Sequence, residues 1–110
     1  MAPNKNPETG PGGRSPLLPL IHGRVRLLIL SSLLRTGRAV AFTHLRKELK
    51  LTDGTLSVHL AKLEEGKLVS IRKTFEGKRP LTLVRVTAKG KRLFETYIQD
   101  LRDIIPGLDS

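Results

Sequence analysis

The stretch from Thr52 to Glu65 constrains this chain more than any other, because it admits a helix with only one side to bury. Leu56, Leu60 and Leu63 fall at i, i+4 and i+7, one narrow apolar stripe at about 100° per residue. The opposite side carries Gly54, Thr55, Val58, Ala61 and Lys62, with Ser57 on its flank. An ordinary solvated helix back is rich in Glu, Lys and Arg; this one is small and hydroxyl-bearing, with a single cation. Thr52 is placed to cap the helix and Asp53 to favour the positive end of its dipole, while Gly66 reads as its stop.

The neighbouring segments give that helix a setting. Phe42 to Lys50 reads as a shorter helix with Phe42, Leu45 and Leu49 at i, i+3 and i+7 and Thr43 as a cap candidate. A turn of three to four residues then makes the two a helix-turn-helix unit. Upstream, Leu17 to Arg35 reads as a first helix with Pro19 in its first turn and Gly37 as its stop. Ile21, Val25, Leu28 and Ser32 form one stripe on it; Leu20, Leu27, Leu30 and Leu34 form another. Two stripes imply burial against the core and against a second surface, such as another subunit. Ala39 to Ala41 suits a very short strand. Leu68 to Phe75 and Leu81 to Val86 are rich in strand-forming residues, with Glu76-Gly77-Lys78-Arg79-Pro80 between them as a turn. This hairpin with a basic tip is a wing. Thr87 caps a last helix to about Ile105, on which Phe94, Ile98, Leu101, Ile105 and Leu108 step by four and three, widened by Tyr97 and Ile104.

The expected fold is therefore mainly α with a small β-hairpin (α+β), a winged helix-turn-helix with a long C-terminal helix over residues 17–105. Residues 1–16, rich in Pro and Gly and almost without apolar side chains, read as a disordered tail, and 106–110 as a C-terminal tail. The 110 residues suit one domain.

Charge narrows the partner. The chain holds 20 Lys and Arg against 10 Asp and Glu, a formal +10. Most of the excess lies in residues 66–92, where Lys67, Arg72, Lys73, Lys78, Arg79, Arg85, Lys89, Lys91 and Arg92 face one acid, Glu76. Such self-repulsion is tolerated where a polyanion is the partner, and nucleic acid leads that class. A helix face of small and hydroxyl side chains suits close approach to a major groove. Ser57, Thr55 and Lys62 are the first candidates for groove contact, with Val58 and Ala61 against thymine methyls and Gly54 allowing close backbone approach. Thr52, with the N–H groups of the helix start, can hold a phosphate or simply cap. In the wing the candidates are Arg72, Lys73, Lys78, Arg79 and Arg85, with Arg79 the first choice for minor-groove insertion. His59 lies off the leucine stripe and reads first as a half-buried brace, second as a phosphate contact.

Several chemistries find no support. There is no cysteine, and His22, His44 and His59 match no metal-ligand spacing, so neither a metal nor another cofactor is expected. No nucleophile–base pattern or Gly-rich phosphate loop points to an enzyme. No segment approaches the roughly 20 apolar residues of a membrane span, so a soluble cytoplasmic protein without a membrane partner is expected.

The runs Ile21-His22-Gly23-Arg24-Val25-Arg26-Leu27-Leu28-Ile29-Leu30, Leu51-Thr52-Asp53-Gly54-Thr55-Leu56-Ser57-Val58-His59-Leu60 and Gly77-Lys78-Arg79-Pro80 carry a resemblance. The chain resembles the small prokaryotic winged-helix transcriptional regulators of the ArsR and MarR kind, in particular a compact subfamily with Leu-Thr-Asp-Gly opening the third helix. The resemblance implies a homodimer joined through the terminal helices that binds double-stranded DNA to control transcription. The interface would then draw on Leu20, Leu27, Phe94, Tyr97, Ile98, Leu101, Ile104 and Ile105. The cysteines of metal-sensing ArsR members are absent, so metal sensing does not carry over. With no appended ligand domain, an unknown small-molecule effector would have to sit between the terminal helices. Two alternatives stay open: a non-specific architectural DNA-binding protein, and a winged helix that binds protein partners. RNA is disfavoured, because at least three of the four aromatic residues (Phe42, Phe75, Phe94, Tyr97) look like core and leave no stacking platform.

Overall fold

Gly23 decides where the first described helix begins. In the computed structural model, which describes residues 23–107, its φ of 132° belongs to glycine alone, and helix α1 runs Arg24–Thr36 behind it. The helix expected to run unbroken from Leu17 is thus interrupted at Gly23, and residues 17–22 lie outside the described residues. So do the tail at 1–16 and Leu108; Pro19, Leu20, Ile21 and His22 are among residues 17–22. Gly37 ends α1 in the left-handed region, φ 74°, its N–H on the Leu33 carbonyl at 3.0 Å.

The side of α1 that enters the core takes Ser32 from one expected stripe and Leu30 from the other, and adds Ile29 and Leu33 between them. Ile29, Leu30 and Leu33 are fully buried, Ser32 sits among them, and Leu27, Leu28 and Leu34 stay half-buried. Ser32 is tolerated inside because its hydroxyl donates to Glu48 Oε1 at 2.9 Å, while Arg35 meets Oε2 at 2.7 Å. These bonds, Ser32's first and Arg35's second, hold the Glu48 carboxyl below the usual glutamate range. They also fasten α1 to the next helix.

A two-residue strand β1, Val40–Ala41, leads directly into α2, Phe42–Leu49. Ala41, not Thr43, occupies the N-cap and offers no side-chain cap. Lys50, Leu51 and Thr52 form the turn, and α3 runs Asp53–Glu65. Both helices end the same way. Leu51 N–H reaches Arg46 O and Leu68 N–H reaches Leu63 O, with Lys50 (φ 57°) and Lys67 (φ 63°) as the left-handed residues. Gly66, expected as the stop, keeps φ −81° and leaves the left-handed turn to Lys67. Leu56, Leu60 and Leu63 are buried as the periodicity demands, and Leu45 is buried from α2. Each is worth about 2–5 kcal/mol against alanine.

The remaining strands, β2 (Val69–Glu76) and β3 (Arg79–Val86), complete an antiparallel sheet of order β1-β3-β2. The turn between them is shorter than expected: Glu76 pairs with Arg79, leaving only Gly77 and Lys78 at the tip. Gly77 has φ 64° and Lys78 has no positive φ, the pattern of a tight II′ hairpin. Pro80 therefore sits inside β3, opposite Phe75. It is one pair beyond the closing pair, so its missing N–H points away from β2 and breaks no ladder bond. β1 reaches only Leu83 and Val84, so that outer edge is open at Pro80.

Helix α4, Ala88–Ile104, starts on Thr87, whose Oγ1 accepts from Gly90 N–H at 2.9 Å. The Thr87 hydroxyl lies 2.7 Å from Lys67 O and its N–H donates to Leu68 O at 3.0 Å, tying α4 to the base of β2. Leu93, outside the expected seam, is α4's buried apolar residue, and α4 packs against α1. No described helix is long and apolar enough to cross a membrane.

Candidate nucleic-acid interface

With its leucines inside, α3 turns its other side outward. Gly54, Thr55, Ser57, Val58, Ala61 and Lys62 are all exposed, Val58 at 60%. Exposing a valine is unusual for a helix with an apolar side available, and here it lies beside hydroxyls and a cation. Thr52 caps: its Oγ1 accepts from Thr55 N–H at 3.1 Å and donates to Thr55 Oγ1 at 3.0 Å. Thr55 keeps its own hydroxyl proton to give outward. Gly54 has open space around a hypothetical Cβ and no positive φ, so nothing within the protomer requires glycine there.

Two contacts that periodicity does not reveal brace this helix. Arg46 of α2 meets Asp53 at 2.9 Å and offsets the one carboxylate at the α3 N-terminus. Arg26 of α1 donates from Nε to His59 Nδ1 at 3.1 Å, so half-buried His59 serves as a brace between helices. Neither partner was legible, because each lies on another helix.

The hairpin sorts its cations by face. Strand alternation and register put Val69, Ile71, Lys73 and Phe75 with Pro80, Thr82, Val84 and Val86 on one face. That face buries Val69 and Val84 at its base and continues outward beside α3. Between them lies an open groove of about 480 Å³, with Ser57 and Ala61 on one wall and Lys73 and Thr82 on the other. Glu64 also lines it, an acid in the groove that the reading of the sequence passed over. Arg72, Arg85, Ser70 and Leu83 share the far face, around a shallow hollow of about 330 Å³ with Ala39. Lys78 is at the tip, and Arg79 closes the turn opposite Glu76. The structure thus brings Lys73 together with α3 and sets Arg72 and Arg85 apart from it. Phe42, Phe94 and Tyr97 pack against the core, but Phe75 is 68% exposed.

The terminal helices present a second apolar surface. Leu27, Ile98 and Leu101 are half-buried, and Ile104 and Ile105 are exposed at 58% and 42%. Phe94 and Tyr97 spend part of their surface on the protomer's own core.

This arrangement has close counterparts. Residues 25–105 match the family described as winged helix DNA-binding domain. The transcriptional regulator homologue protein from Pyrococcus horikoshii OT3 is 34% identical and superposes with a TM-score of 0.75, covering 83% of this chain and 89% of its own. HlyU from Vibrio cholerae N16961 is 28% identical with a TM-score of 0.60, over 79% of this chain and 88% of its own. An uncharacterized protein of Methanocaldococcus jannaschii is 35% identical over 68 residues, 62% of this chain and 74% of that protein. The chain, whose described residues form four helices and three strands and are matched over nearly their whole length, belongs to the winged helix DNA-binding domain family.

Proposed function

We propose that the chain is a sequence-specific transcriptional regulator that binds double-stranded DNA as a homodimer, within the compact ArsR- and MarR-like group. The observation that carries this is the outward side of α3, small, hydroxyl-bearing and exposed, standing beside a cationic hairpin. In this reading Ser57, Thr55 and Lys62 meet base edges, Val58 and Ala61 meet thymine methyls, and Lys73, Lys78 and Arg79 meet the backbone or minor groove. Thr52 acts by holding the helix start. Arg72 and Arg85, on the far face, act through their field more than by touch. Two copies joined at α1 and α4 would read half-sites about one helical turn apart, and a small effector would act between those helices.

Selection of bound duplexes from a random pool, read at two salt concentrations, tests this. A pseudo-palindrome should emerge, with log K falling steeply against log salt. Ser57→Ala should relax base preference at one position, whereas Lys78→Ala should weaken all sequences alike and reduce the salt slope by about one. Arg72→Ala should move the slope less. A ratio of specific to random binding near one would assign the chain an architectural role instead.

Gly54 gives a sharper expectation, with opposite signs. Gly54→Ala should stabilise the fold by about 0.5 kcal/mol, since the site has room and ordinary φ. The same methyl should weaken the selected duplex several-fold by holding the helix off the groove. Thermal melts and titrations on one preparation measure both; unchanged affinity would remove Gly54 from the interface.

A further inference from the structure

We infer that Phe75 is an apolar DNA contact that packs on the deoxyribose ridge between the groove read by α3 and the groove met by the hairpin tip. This rests on the DNA-binding reading above and adds to it a residue of a different chemical kind. Phe75 is a large aromatic left 68% exposed near the end of β2, and its cross-strand partner Pro80 is exposed as well. Its position selects the occupant. Phe75 shares a face with Lys73 and Thr82, which look across the groove at Ser57 and Ala61 of α3. On that face Lys73 is its neighbour, and Lys78 stands at the tip just beyond it, so whatever covers it carries negative charge beside an apolar surface.

A sugar–phosphate backbone has that combination: phosphates for the lysines, deoxyribose carbons for the ring. Dimensions agree. Two strands lie about 4.8 Å apart before their side chains are added, too broad to enter a minor groove about 6 Å wide. Only the tip side chains enter. Phe75, two residues behind Gly77 and so roughly 7 Å back along the strand, comes to rest on the rim. The rim that its face looks toward is the strand separating the two grooves. A base-stacking wedge would need the ring at the tip, and Gly77 and Lys78 hold that place.

A ring on sugars releases no counterion and reads no base, and these two properties define the test. Wild type, Phe75→Ala, Phe75→Tyr and Lys78→Ala are titrated against the selected duplex and a random duplex over a range of salt. Phe75→Ala should weaken both duplexes about tenfold, as expected for an aromatic surface removed from water. Its salt slope should match wild type, while Lys78→Ala lowers the slope. Phe75→Tyr, which keeps the ring, should bind within about twofold of wild type. Wild type binding duplex with Phe75→Ala equally tight overturns this inference alone and assigns the exposed ring to a protein partner. A changed slope in Phe75→Ala, or a loss confined to the selected duplex, overturns it too. Absence of salt-dependent duplex binding by wild type overturns the underlying reading together with it. Matching thermal midpoints for wild type and Phe75→Ala, expected at so exposed a site, secure the comparison.

Discussion

Replacing Gly90 by alanine is expected to lower the thermal midpoint of this protein by more than 10 °C. A Cβ at Gly90 would stand 2.2 Å from Leu68 O and 3.0 Å from Val86 Cγ2. The first obstacle is backbone and cannot rotate away. It is also in use, since Leu68 O accepts from Thr87 N–H at 3.0 Å and lies 3.0 Å from the Thr87 hydroxyl. Relief requires α4 to lift off the base of β2, which loosens the Thr87 cap and the packing of Leu93. We expect a cost of about 3 kcal/mol, the upper end for overpacking. That corresponds to roughly 12–24 °C for a domain of this size. Circular dichroism melts of the variant measure it; a midpoint within a few degrees of wild type would mean that the α4 start is free to slide. Gly54→Ala, with its small opposite shift, is the natural control.

Ile104→Glu is expected to have the largest effect on binding. Ile104 is 58% exposed near the end of α4, so a carboxylate there should leave the protomer folded. If α1 and α4 join two copies, the same carboxylate is buried against its twin with no cation to meet it. The protein should sediment as a monomer. Affinity for a duplex with two half-sites should fall about 100-fold or more, because the second site is no longer tethered to the first. Affinity for a single half-site should hardly change. A dimer that persists at micromolar concentration would place the subunit contact elsewhere.

What could be seen in the sequence followed from local rules. Three leucines on one period, with nothing bulky opposite, leave α3 only one way to face. Thr87 announces α4, and two runs of strand formers around Gly77 announce the hairpin. What stayed hidden depended on distance or register. In α1, five leucines and one isoleucine crowd positions 27–30 and 33–34, so several angles are apolar and only the surrounding elements choose Ile29, Leu30 and Leu33. Pro80 has the look of a turn residue, yet one strand position does not need its N–H, and the turn shrinks to two residues. That register also decides that Lys73 faces α3 while Arg72 does not; a slip of one would exchange them. The need for glycine at position 90 is set by Leu68, far along the chain, and no local rule shows it. The braces that Arg46 and Arg26 form on Asp53 and His59 exist only once the helices are assembled.

Those braces have a mechanical consequence. Arg26 holds α1 to α3, and Ser32 with Arg35 holds α1 to α2, so both members of the helix pair are bolted to the same shaft. Tilting the pair on a fixed α1 breaks those bonds, so the angle of the pair follows α1. In a dimer built on α1 and α4, a few degrees of tilt at the joint would act as a lever, altering the separation of the two α3 helices and detuning them from the pitch of their duplex.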